Sequence, residues 1–183
     1  MLLLQVRKGR HGLRRGTCFG GENRKEYEPM NIRDLLKPES VLINANVESK
    51  EQAITALIDL HDRVGNLLNK EAYTQAVLKR EAECVTAIGE GMAIPHAKSD
   101  AVRHPGLAAI TVPAGIDCHA LDGQPSNLIF MIAAPVDGDL HLEILSGLVS
   151  LLMDSALRER LLQANSPEAF LEELGKAETE KAQ

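Results

Sequence analysis

Aromatic residues are scarce in this sequence: 183 residues contain no tryptophan, three phenylalanines and two tyrosines. A core without rings has to be built from Leu, Ile, Val and Ala, a composition that suits helices packed on a sheet. Cysteine is also sparse. Cys18, Cys84 and Cys118 are odd in number, widely spaced and free of any Cys-x-x-Cys pattern, so neither a disulfide framework nor a structural zinc site is indicated. That usage fits a reducing cytosol. No apolar run approaches the roughly 20 residues of a membrane helix, and the opening MLLLQV is too short for a signal-peptide core, with its charges on the wrong side. There is no G-x-x-x-x-G-K-[ST] loop, no dinucleotide fingerprint and no His-x-His or His-Glu-x-x-His spacing, so no nucleotide, metal or other cofactor is implied.

What is present suffices for one domain: the length and a 44% hydrophobic content support a single core. The net charge of −6 conceals an asymmetry. Residues 1–29 carry seven Lys or Arg against three Glu, whereas the rest carries thirteen against twenty-three Asp or Glu. An acidic body with few aromatics argues against nucleic acid as a partner. The basic segment 1–29 shows no helical or strand period and reads as a disordered leader or an extended start, in preference to a functional basic arm. Residues 30–176 read as the folded domain, with Met30 a candidate natural start, and 177–183 as a flexible tail.

Local patterns predict alternating helices and strands. Ser49 to Gln52 has the form of a capping box, opening a helix with Ile54, Leu57, Ile58 and Val64 in its apolar stripe and Gly65 as its stop. A second helix starts near Asn69, with Tyr73, Ala76 and Val77 on one face and Arg80 continuing that face where another apolar residue is expected. Leu107 to Val112 is a β-rich run, and Leu128 to Ala134 is apolar throughout, as in a central strand buried on both faces. Gly115 and the Asp122-Gly123 pair mark a loop or turn between them. Asp139 is placed to cap a long helix with Ile144, Leu145, Leu148, Leu151 and Leu152 inward and His141 in its first turn; Ser166-Pro167-Glu168 opens a last helix that Gly175 ends. The fold class is α/β, a mixed central sheet flanked by helices.

The stretch REAECVTAIGEGMAIPHAKSD, Arg80 to Asp100, carries the chemistry. Glycines at 89 and 91 admit unusual backbone angles, and Pro95 fixes its own φ and keeps Ile94 extended, so His96 is delivered by a stiff backbone. Its imidazole is largely unprotonated at neutral pH and nucleophilic. His141 at a helix N-terminus is placed to donate to an oxygen, and Arg80 to supply fixed positive charge. The bland readings are a solvated loop histidine, a half-buried helix histidine and an arginine snorkelling from the core edge. His61 reads as packed, His104 and His119 as solvated, and a Cys84–His96 nucleophilic pair has no sign of thiol activation. With no nucleotide loop, a phosphoryl donor to His96 is another phosphoprotein.

VTAIGEGMAIPHAKSDAV resembles the active-site signature of the fructose/mannitol-type enzyme IIA domains of the bacterial phosphoenolpyruvate-dependent sugar phosphotransferase system. GIDCHALDGQPSNLIFMIAAP and HLEILSGLVSLLMD resemble later blocks of that family, in order, over roughly residues 31 to 175. The resemblance implies an α/β domain with a mixed sheet flanked by helices, and a relay in which phospho-HPr phosphorylates a histidine that then serves a cysteine of enzyme IIB. The family's histidine falls on His96, its second histidine on His141, its arginine on Arg80 and a threonine beside the site on Thr86. Ala87 and Ala97 stand where the family often has Gly. The IIB-type phosphocysteine loop is absent, so the acceptor is another chain, and membrane association is indirect, through enzymes IIB and IIC. The alternative is a regulatory, nitrogen-related IIA protein whose phosphorylation state controls partner binding.

Overall fold

The apolar run ending at Ala134 becomes the middle of a six-stranded mixed sheet. The structure, a computed structural model, describes residues 31–181. The leader expected over residues 1–29 lies outside them. β6 (Ser126–Ala134) pairs antiparallel with β5 (Gly106–Ile116) on one side. On the other side it pairs in parallel with β3 (Met92–Ala93) and then β4 (His96–Lys98). β1 (Val41–Leu42) runs parallel to β5, and β2 (Ala87–Gly89) is antiparallel to β3. The hairpin from β2 to β3 turns through Gly89, Glu90 and Gly91, all at positive φ (94°, 51° and 78°). At Gly91 a Cβ would meet the Asn127 side-chain oxygen at 2.7 Å, so the turn demands glycine for space as well as for angle.

β3 and β4 are one path along β6, interrupted at Ile94-Pro95. Proline has no N–H to give the ladder. Its carbonyl still accepts from Ile132 N–H at 3.2 Å, while the Ile94 N–H turns away to the Thr86 carbonyl at 3.0 Å. His96 therefore starts a short strand in register with Ile132. The sequence reading assigned it no strand; the ladder of β6 recaptures the chain as soon as the proline has passed.

Strand periodicity splits the core in two. Ala108, Ile110, Ile129 and Met131 face α1 (Lys50–Arg63) and α2 (Lys70–Glu83). Leu107, Ala109, Phe130 and Ile132 face α3 (Leu140–Leu152), α4 (Ser155–Gln163) and α5 (Pro167–Lys181). Ser49 caps α1 by accepting from Gln52 N–H at 3.3 Å, but the Gln52 side chain reaches back to Glu48 N–H, one residue earlier than in a standard capping box. Asn69 caps α2 by accepting from Ala72 N–H at 2.9 Å.

Several expectations are corrected. Val64 is the half-exposed C-cap of α1 rather than part of its stripe. Gly115 lies inside β5 at φ 65°, where the register with β6 shifts. Asp139 sits at the N-cap of α3 without a side-chain cap bond; its carbonyl accepts from the Leu142 and Glu143 N–H groups instead. The helix expected from Asp139 runs as α3 through Leu152, and beyond it Asp154 caps a separate α4, at 90° to α3, that the sequence reading did not place. Gly175 does not end the last helix, and residues 177–181 are helical rather than a tail. Burial of Leu174 and Ala177 offsets the roughly 1 kcal/mol cost of a helical glycine, and the Glu178 carboxylate accepts the N–H groups of Ile32 and Arg33. Among the described residues no single helix is long and apolar enough to cross a membrane.

Candidate active site

His96 is held from two directions. Its backbone is in the sheet, and its ring Nδ1 lies 2.8 Å from the Ile94 carbonyl oxygen. A carbonyl only accepts, so Nδ1 carries the proton and Nε2 the free lone pair. The side chain is mostly buried, at 8% exposure. Burial pushes its pKa below the ordinary histidine value, the Arg80 cation adds to the effect, and the Ile94 hydrogen bond and Glu81 partly oppose it. The ring is thus kept neutral at neutral pH, the state in which a lone pair is available.

His141, in the first turn of α3, brings its ring centroid to 4.9 Å from that of His96, tilted by 44°. Its Nε2 is buried with no hydrogen-bond partner. Burial, followed by repulsion from His96 once that ring is protonated and from the Lys98 and Arg80 cations, pushes its pKa down to about 4. A neutral His141 can therefore offer a hydrogen bond without carrying charge.

Both rings line a cleft of about 420 Å³ with Ala76, Lys79, Arg80 and Glu83 of α2 and Lys98 of β4. The Arg80 side chain is steadied by donating from Nη1 to the Cys84 carbonyl at 3.2 Å, and Lys98 Nζ donates to the Gly138 carbonyl at 2.9 Å. Three cations against one carboxylate make this cleft a basic spot on an acidic body. A neutral nitrogen nucleophile in such a setting suits an anionic electrophile.

The structure thus gathers His96, His141 and Arg80 in one place. Thr86 is buried behind them: it is not among the cleft-lining residues, and its hydroxyl donates to Glu81, which is paired with Lys50. Sequence reasoning missed Lys79 and Lys98, although Lys98 sits two residues beyond His96, the spacing that returns to one face of a strand. His61 is packed as expected: Nε2 donates to the Met131 carbonyl at 3.1 Å and Nδ1 accepts from the Asn66 amide at 3.1 Å. His104 and His119 are exposed. Cys84 is exposed outside the cleft lining and Cys118 is buried, its thiol pKa raised by burial.

Comparison with known proteins places this geometry. Residues 34–177 match the family described as phosphoenolpyruvate-dependent sugar phosphotransferase system, EIIA 2. The chain is 41% identical over 144 residues to the fructose-specific EIIABC component of Bacillus subtilis, covering 78% of this chain and 23% of that relative, so it spans about a quarter of that protein's length. It is 44% identical over 119 residues to the fructose-specific EIIA component of Haloferax volcanii, covering 64% of this chain and 77% of the relative. Among solved structures, nitrogen regulatory protein IIA-Ntr from Neisseria meningitidis superposes with a TM-score of 0.73 at 28% identity, over 78% of this chain and 98% of that one. The enzyme IIAMTL chain of Escherichia coli, solved in complex with phosphorylated enzyme IIBMTL, gives 0.69 at 27% identity, over 77% and 97%. A fold with its cationic histidine cleft at the edge of a mixed sheet and a family match over residues 34–177 lead to one assignment: this chain belongs to the EIIA type 2 family of the phosphoenolpyruvate-dependent sugar phosphotransferase system.

Proposed function

We propose that this protein is a phosphocarrier of a sugar phosphotransferase system, of the fructose type, that accepts a phosphoryl group on His96 Nε2 from phospho-HPr and passes it to a cysteine of enzyme IIB. The observation that carries this reading is the Nδ1–H to Ile94 carbonyl bond, which leaves Nε2 unprotonated inside a cleft of cations. In the accepting step the Nε2 lone pair forms a bond to phosphorus as the bond from phosphorus to the donor's histidine nitrogen breaks, and that nitrogen keeps the electron pair. No proton need leave His96, so no general base is required. Positive charge that develops on the imidazole is met by the Ile94 carbonyl. Arg80 neutralises the phosphoryl oxygens, with Lys98 beside it, and His141 Nε2 hydrogen-bonds to one of them. In the donating step a cysteine thiolate attacks phosphorus and His96 leaves as neutral imidazole. Thr86 supports the site from behind.

The fructose-specific relatives, at 41% and 44% identity against 28–33% for nitrogen regulatory proteins, favour sugar transport over a purely regulatory role. The test is intact mass with acid-labile phosphate analysis of the wild type and His96→Gln after incubation with phosphoenolpyruvate, enzyme I and HPr. One added phosphate on the wild type alone is expected, and its loss on adding a fructose-type IIB. A wild type that stays unmodified beside an active control IIA refutes the reading.

A further inference from the structure

Behind His96, Thr86 is one link of a shielded polar chain. Lys50, the first residue of α1, pairs with the Glu81 carboxylate in the last turn of α2, and the Thr86 hydroxyl donates to the other oxygen of that carboxylate. The two charged side chains are 12% and 7% exposed. An ion pair so shielded adds little to stability, because desolvation offsets the Coulomb attraction. Its connections lead to the nucleophile. The Thr86 carbonyl accepts the Ile94 N–H at 3.0 Å, and the Ile94 carbonyl accepts from His96 Nδ1 at 2.8 Å. Pro95 contributes no N–H of its own, so the Ile94 peptide lies at a gap in the ladder and depends on Thr86 for its anchor.

We propose that Glu81 is a positioning residue: through Thr86 it fixes the Ile94 carbonyl that keeps the His96 proton on Nδ1 and the lone pair on Nε2, with Lys50 holding the carboxylate in place. α1, α2 and the lead-in to β2 are thereby tied to the orientation of one ring. The catalytic consequence rests on His96 accepting phosphate at Nε2, as proposed above; the positioning itself does not.

The test is ¹⁵N NMR of the histidine rings in the full chain, without any phosphate donor, for the wild type, Glu81→Ala, Glu81→Gln and Thr86→Val, followed by phosphorylation rates. In Glu81→Ala and Thr86→Val the His96 nitrogen shifts are expected to move toward a mixture of tautomers, with phosphorylation slowed roughly tenfold or more. Glu81→Gln still accepts the Thr86 hydroxyl and is expected to keep the wild-type tautomer. Thr86→Val preserves the Lys50–Glu81 pair, so it decides the question if Glu81→Ala fails to fold. A folded Thr86→Val protein with wild-type His96 shifts overturns the inference and makes the network a packing feature only. Should the wild type itself take no phosphate, the phosphocarrier reading falls, while the ring shifts of Thr86→Val still decide the positioning role.

Discussion

At the scale of single residues, the cleft holds two neighbouring imidazoles in different surroundings. His96 has its proton parked on Nδ1, and its lowered pKa keeps Nε2 free. A depressed histidine pKa means that the neutral form persists below the ordinary value near 6.5 and is lost only as pH falls further. The rate of phosphoryl acceptance is therefore expected to hold level from pH 8 down to 6.5 and to drop below that; an NMR titration of His96 with its midpoint at or above 6.5 would contradict this. His141, its pKa lowered to about 4, stays neutral across the same range, so in the proposed transfer it offers a hydrogen bond rather than a charge. His141→Ala is expected to slow acceptance on the order of a hundredfold without reshaping the pH profile. Stopped-flow or quench kinetics with phospho-HPr measure both.

Elements carry the second layer of control. α1 is fastened to β6 by a histidine with no role in the cleft: His61 is fully buried, bonded to the Met131 carbonyl and to Asn66, and burial pushes its pKa to about 4. Between pH 4 and 6.5 the unfolded chain binds a proton at this position that the folded chain does not. Stability therefore rises with pH across that window and falls on acidification, by about 3 kcal/mol from this residue near pH 4. His96 and His141 act in the same direction, so the informative quantity is a difference. Urea unfolding of the wild type and His61→Gln at pH 7.5 and pH 5 is expected to show a smaller acid loss in the variant; equal losses would assign the acid sensitivity elsewhere. The neighbouring element β4 shows how context outweighs local pattern. Gly, Pro and a lone polar ring spell a loop in the sequence, yet β6 supplies a ladder that recaptures the chain at His96.

On the scale of the whole molecule, the cleft lies where the two helical layers meet past the sheet: Arg80 comes from α2 on one face and His141 from α3 on the other. Packing far from the cleft therefore bears on it. α5 belongs to the α3 layer, burying Leu174 and Ala177 and using Glu178 to accept the first backbone N–H groups of the described chain. Truncation after Gly175 is expected to cost about 2–4 kcal/mol of stability, read as a lowered urea midpoint. An unchanged midpoint would return residues 177–183 to the tail that the sequence implied. The glycine reads as a stop because a helix end is judged locally, whereas what continues the helix is tertiary: packing against the rest of its core layer, and backbone N–H groups some 145 residues away that donate to Glu178.

The sequence by itself determined the class of fold, the two-sided burial of β6, the starts of α1 and α2, and His96, Arg80 and His141 as the candidate constellation. These are properties of period, capping chemistry and an ordered set of motifs, all written within short windows. Tertiary structure alone decided which nitrogen of His96 is free, since that follows from a carbonyl two residues back whose position Thr86 and Glu81 fix. It also decided that His141 stands within 4.9 Å of His96 although 45 residues separate them, and that the Thr86 hydroxyl turns to Glu81 rather than to the cleft. The physical reason is the same throughout: propensity and pattern act along the chain, while tautomer, pKa and burial are set by whatever the fold brings alongside.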